Sequence, residues 1–208
     1  MVNDALRQVL QDGCRRLQVQ AIPVLDPVIG GLASYLGRQS RGLPGKQHLL
    51  DGEYFARIDA MTFAINHDDG QSCWGINDAD VCLVGVSRTS KTPTSLYLAN
   101  RGIKAANVPF VPGVPLPEEL LHAEKPLIVG LTNDPERLIH LRRNRLSMLE
   151  RDEATDYTDL EAVRTEVREA RRLFAERHWP VIDVTRRSIE ETAASIHRLL
   201  IRRHGGDA

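Results

Sequence analysis

An excess of charge of either sign is missing from this sequence. Lysine and arginine number 27 against 28 aspartates and glutamates, leaving a formal net charge of −1. A general nucleic-acid coat protein carries a basic excess, so no nucleic-acid partner is expected. Cysteine is scarce too: Cys14, Cys73 and Cys82 form no CxxC pair and no Cys/His spacing typical of zinc. These thiols read as buried or idle. No stretch approaches the apolar length of a membrane span, so no membrane partner is expected either. The opening MVNDALRQVLQDG carries acids and lacks the apolar core of an export signal. Together with the odd cysteine count, this points to a reducing cytoplasm. Internal repeats and low-complexity runs are absent, and no second glycine-rich fingerprint supports dinucleotide binding.

What remains is enough apolar sequence, 42%, for a sizeable core. Val2 to Leu17 has helical spacing, with Leu6, Val9, Leu10, Cys14 and Leu17 on one stripe. A second helix is expected from Asp26–Pro27 to about Leu36. Residues 37–52, rich in glycine and basic groups, read as a linker or loop. Glu53 to Ile65 has helical or mixed character, and His67–Asp68–Asp69–Gly70 reads as a turn. From Asp80 the pattern becomes regular. Strands are expected at Val81–Val86, Ala105–Val111, Leu127–Leu131 and Val181–Val184. Helices are expected at Pro93–Arg101, 135–149 and Asp159–Arg177, and after Ser188, where Glu191 completes a capping box. Alternating strands and helices predict an α/β layered fold with a mostly parallel sheet.

The segment Gly85-Val86-Ser87-Arg88-Thr89-Ser90-Lys91-Thr92 approximates the phosphate loop GxxxxGK[ST], with Ser90 in place of the second glycine. It has the context that the motif requires, a buried strand before it and a helix after it. Backbone N–H groups at a helix N-terminus point at bound phosphate, and the helix dipole favours its charge. Lys91 is placed to reach a transferring phosphoryl group, and the Thr92 hydroxyl to help hold Mg²⁺. Ser87, Thr89 and Ser90 add hydroxyl donors, and Arg88 adds charge within the loop. A strand–helix turn that merely contains Gly and Lys is the structural alternative.

Three further groups stand near the chemistry. Asp183 ends an apolar run and resembles the acid of a metal-positioning strand. Leu127–Leu131 ends without an acid, although Asp134 follows, so the metal-positioning acid stays open. Arg137, Arg142, Arg143 and Arg145 form a cluster, with Arg186–Arg187 beyond, and are read either as phosphate clamps or as a solvated helix face. Asp68 and Asp69 precede the loop strand and are read either as acid/base groups or as turn residues.

The stretch DADVCLVGVSRTSKTPTSLYLANRGIKAANVPFVPGVPLPEEL, 78–120, resembles the bacterial and plastid pyruvate, phosphate dikinase regulatory proteins. So do EYFARIDAMTFAINHDDGQ (53–71), LRRNRL (141–146), WPVIDVTRRSIEET (179–192) and RLQVQAIPVLDPVIGGLASYLG (16–37). The resemblance implies a P-loop kinase-like domain at 53–208 and, at 1–52, the remnant of an N-terminal α/β region. Family members begin with a further segment bearing a Ser-Asp-Ser-Thr-Gly-like motif, so exposed apolar surface is expected at the N-terminal layer. The resemblance further implies a bifunctional transferase whose protein partner is pyruvate, phosphate dikinase. It would phosphorylate an active-site threonine from ADP and remove that phosphate with inorganic phosphate, releasing pyrophosphate. Gly85 to Thr92 would then hold ADP, with Lys91 and Arg88 on the migrating group and Asp69 or Asp68 taking the threonine proton. The Pro-rich loop Pro112–Pro117 or the basic segment 37–48 would rim the groove for the protein substrate. A homodimer stays open. A small-molecule P-loop kinase and a non-catalytic nucleotide-binding interaction protein are the alternatives.

Overall fold

The computed structural model describes residues 4–38, 52–148 and 156–205. The chain divides into two compact units, Met1–Asp51 and Gly52–Ala208. Within the first, α1 (Asp4–Arg16) and α2 (Asp26–Tyr35) form where helical periodicity and the Asp26–Pro27 start predict them. Val9, Leu10, Val28 and Leu32 are exposed. The linker expected at 37–52 falls, from residue 39 to 51, outside the described residues.

The second unit is built on a four-stranded sheet. β1 (Val81–Gly85), β2 (Ala105–Pro109), β3 (Leu127–Thr132) and β4 (Val181–Asp183) are all parallel, in the order β2–β1–β3–β4. Side chains alternate between faces, so β1, β2 and β3 each feed two cores, while β4 adds Ile182 to one. Val81 and Leu83 face one side and meet Leu98, Ile196 and Leu200. Cys82 and Val84 face the other and meet Leu138, Val163, Val167 and Phe174. The layers follow from this. α4 (Lys91–Ala99) and α8 (Ile189–Gly205) cover the first face. α5 (Glu118–Leu121), α6 (Pro135–Met148) and α7 (Leu160–Glu176) contribute to the second. α3 (Gly52–Asn66) packs on α4 through Ala60, Ala64 and Ala99, where small residues allow close approach.

One glycine is dictated by packing. A Cβ on Gly130 of β3 would overlap the Phe174 ring, so its absence lets α7 settle on the sheet. Helix starts match their sequence signals. Asp159 accepts a hydrogen bond from the Ala162 N–H at 2.8 Å. Ser188 and Glu191 cap each other's N–H groups at 2.9 and 3.2 Å. α5 and the 3₁₀ turn Cys73–Asp78 had no sequence signal, and β2 stops at Pro109 instead of reaching Val111. Among the described residues, no helix is long and apolar enough to cross a membrane.

Candidate active site

β1 ends in Gly85, and the chain turns at once into the loop that precedes α4. Only glycine fits there: a Cβ would lie 2.5 Å from the Leu131 carbonyl oxygen and 2.8 Å from Thr89 Oγ1. The loop then uses left-handed backbone twice, at Arg88 (φ +70°) and Ser90 (φ +61°). Ser90 therefore adopts the conformation that the usual glycine supplies without strain. Thr89 is fully buried and braces the turn by donating to the Val86 carbonyl at 2.9 Å. α6, α7 and α8 are capped by Asp134, Asp159 and Ser188. The N-terminus of α4 receives no such side-chain hydrogen bond. Its first-turn N–H groups and the positive end of its dipole are left for an anion.

Lys91 is only 6% exposed. Its Nζ donates to the Gly85 and Val86 carbonyls at 2.9 and 3.1 Å, so the loop folds around its own lysine. Burial pulls the Lys91 pKa down to about 8, and the charges of Asp69 and Asp68 oppose that fall. Thr92 follows on the same turn and donates to Asp68 Oδ1 at 2.8 Å. A cleft of about 820 Å³ opens over these groups and is lined by Asp68, Asp69, Arg88, Lys91, Thr92 and Arg145 among others. Asp68 and Asp69 of the turn 67–70 thus share one cavity with the loop Gly85–Thr92.

Several candidates lie elsewhere. Asp134 caps α6. Asp183 accepts from the Thr185 N–H and hydroxyl and pairs with Arg171 at 3.3 Å. Burial opposes its charge, but those partners outweigh burial and hold its carboxyl below the usual range. Neither acid lines the cleft beside Lys91. The arginine cluster separates likewise. Arg145 lines that cleft, whereas Arg137, Arg186 and Arg187 line another, of about 800 Å³, beside Asp134 and Thr185. Arg142 is buried at 1% exposure and forms a fork to Glu166 at 2.8 and 3.0 Å. It also donates to the Ser87 carbonyl at 3.3 Å and lies over the Tyr157 ring. Tyr157 in turn shares a hydrogen bond with Ser87 Oγ at 3.1 Å. Arg142 braces the loop from behind. His67 stacks on Phe63 at 3.8 Å and belongs to the packing below the turn. Cys82 is fully buried, and burial pushes its thiol well above the ordinary range, as an idle cysteine requires.

Asn107 had not been singled out in the sequence. It is buried on β2, and its side chain donates to Asp68 Oδ1 and accepts from the Asp69 N–H. No local motif marks it, because its partners lie 38 and 39 positions away. The oxygen donors Asp68 and Thr92 suit a hard cation such as Mg²⁺. Mg²⁺ takes one or two carboxylates and completes its shell with water and substrate phosphates. Among the described residues no group of three or more His, Cys, Asp or Glu could enclose a metal by itself.

Known proteins match this sequence over most of its length. The chain is 55% identical over 199 residues to a protein of Paramagnetospirillum magneticum, covering 96% of this chain and 64% of that protein. It is 54% identical over 200 residues to one of Caulobacter vibrioides, with 96% and 64% covered. For one of Rhizobium meliloti the identity is 56% over 197 residues, with 94% and 72% covered. All three are provisionally named pyruvate, phosphate dikinase regulatory proteins. The chain thus spans less than two thirds of the length of the first two. The profile of one family, described as kinase/pyrophosphorylase, matches residues 1–197. A family match over nearly the whole chain and relatives more than half identical to it agree: this chain belongs to the kinase/pyrophosphorylase family.

Proposed function

We propose that this protein regulates pyruvate, phosphate dikinase by phosphorylating a threonine of that enzyme from ADP, and by reversing the step with inorganic phosphate. The observation that carries the reading is the cleft where Lys91, the uncapped start of α4, and the Asp68–Thr92 pair converge. The names of the relatives supply the partner. ADP as phosphoryl donor and inorganic phosphate as the acceptor of the reverse step are implied by the resemblance of the loop and its flanking segments.

In the forward step the threonine oxygen attacks the β-phosphorus of ADP. The bond from that phosphorus to the bridging oxygen breaks, and AMP leaves. The threonine proton passes to a cleft carboxylate, Asp69 or Asp68. In the reverse step inorganic phosphate attacks the phosphothreonine phosphorus, the threonine oxygen leaves and takes up a proton, and pyrophosphate forms. Lys91 exchanges its Gly85 and Val86 carbonyls for phosphate oxygens and, with Arg88, stabilises the migrating charge. The loop N–H groups of Gly85 to Thr92 orient the diphosphate. Thr92 and Asp68 would hold Mg²⁺, which neutralises phosphate charge when bound. The work of the protein is to position these groups, as phosphoryl transfer requires.

The test is incubation with the dikinase and ADP, followed by mass spectrometry of the dikinase active-site peptide. The reading expects one added phosphate on threonine, removed again with phosphate and accompanied by pyrophosphate. An unmodified threonine with folded protein contradicts it. Phosphorylation of a small molecule instead would favour a metabolite kinase, and ADP binding without transfer would favour a nucleotide-binding interaction protein.

A further inference from the structure

Asn107 is used on every side. Its N–H donates to the His67 carbonyl at 3.0 Å, and its carbonyl accepts from the Gly70 N–H at 2.9 Å. Its side-chain oxygen accepts from the Asp69 N–H at 3.0 Å, and its side-chain nitrogen donates to Asp68 Oδ1. β2 is an edge strand, and the turn 67–70 takes the hydrogen-bonding positions that another strand would otherwise fill. A single buried residue, 1% exposed, therefore fixes the acidic turn to the sheet that carries the phosphate loop.

The two acids of that turn are held differently. Asp68 Oδ1 receives two donors, Asn107 Nδ2 and Thr92 Oγ1. With its proton directed to Asp68, the Thr92 oxygen has only lone pairs to offer the cleft. Asp69 is anchored by its backbone alone, at φ +50°. Its side chain is exposed on the cleft wall and accepts no hydrogen bond among the described residues.

We propose that Asn107 is a positioning residue that divides the acidic pair: it locks Asp68 against Thr92 as the oxygen face for a divalent cation, and leaves Asp69 free to take the proton of the acceptor hydroxyl. The division rests on the functional reading above and sharpens it. Partners one step behind a metal ligand orient it and raise its affinity by about 10–100-fold. Asn107 occupies that place behind Asp68.

The experiment titrates ADP into the full chain with and without Mg²⁺, by calorimetry and without the dikinase. Asn107→Leu and Asp68→Asn should each reduce the gain in ADP affinity given by Mg²⁺ by about 10–100-fold. Asp69→Asn should keep that gain and instead lower kcat for threonine phosphorylation. The double variant of Asn107 and Asp68 should bind no worse than Asp68→Asn alone, because both act through one carboxylate. If Asn107→Leu does not fold, Asp68→Asn against Asp69→Asn decides. Full retention of the Mg²⁺ gain in Asn107→Leu, or equal losses in the two aspartate variants, overturns the division. Wild-type protein whose ADP affinity ignores Mg²⁺ also overturns it. Threonine phosphorylation from ADP in that case would leave the functional reading standing, so the two failures are distinguishable.

Discussion

Replacing Arg142 by methionine tests whether the loop is braced from behind. The guanidinium is 1% exposed and makes two hydrogen bonds to Glu166, at 2.8 and 3.0 Å, and one each to the Tyr157 and Ser87 carbonyls. Methionine keeps much of the volume and removes all four bonds. Glu166, whose side chain is 15% exposed, is then left as a largely buried and unpaired charge. Removing one partner of such a pair costs about 3–5 kcal/mol. Loss of the stacking on Tyr157, at 4.6 Å, adds about 0.5–2 kcal/mol. For a domain of this size each kcal/mol lowers Tm by about 2–4 °C, so a fall on the order of 10 °C is expected. Thermal unfolding by calorimetry reads it. The control pairs Arg142→Met with Glu166→Leu, which removes the stranded charge. The double variant should recover part of the loss. A shift below about 2 °C in the single variant, or a double variant less stable than the sum of its singles, would refute the reasoning.

Two further predictions concern the loop itself. Burial lowers the Lys91 pKa from 10.5 to about 8, so between those values the unfolded chain binds more protons than the folded one, and stability rises with pH across that window. Nucleotide binding should show the opposite trend. ADP affinity is expected to weaken as pH rises through about 8, with proton uptake on binding detected by calorimetry in buffers of different ionisation enthalpy; affinity independent of pH from 7 to 9 would contradict the role given to Lys91. Ser90 sits at φ +61°, so Ser90→Gly should fold and bind ADP much as the wild type does. Ser90→Val places a β-branched residue in that conformation and is expected to lose about 1–2 kcal/mol, read by denaturant unfolding.

What was legible in the sequence was local. The strand–loop–helix around Gly85 to Thr92 and the Ser188–Glu191 capping box each depend on residues within a few positions. Their signals therefore survive in a linear reading. The role of Asn107 does not, since its partners are Asp68 and Asp69, across the edge of the sheet. Arg142 looked like any arginine of its cluster until Glu166, 24 positions on, proved to be its partner. Asp183 resembled a metal-positioning acid and Asp134 followed the strand Leu127–Leu131, which left that acid open; in the structure Asp183 hydrogen-bonds Thr185 and Asp134 caps the start of α6. The groove rim expected in the basic segment falls largely outside the described residues. At Pro112–Pro117 the structure shows a largely exposed loop that supplies no wall to the cleft beside Lys91. Ser90 shows the converse case. Its departure from glycine was visible at once, whereas its left-handed backbone, which keeps the loop's shape, emerged only in three dimensions.

The most direct measurement follows label from the β-phosphate of ADP into the dikinase, with wild-type protein and with Lys91→Ala. Label is expected on a dikinase threonine, with one AMP released per phosphate transferred and loss of transfer in the variant while it still binds the dikinase. Label that never reaches threonine, or transfer at an unchanged rate by Lys91→Ala, would contradict this expectation.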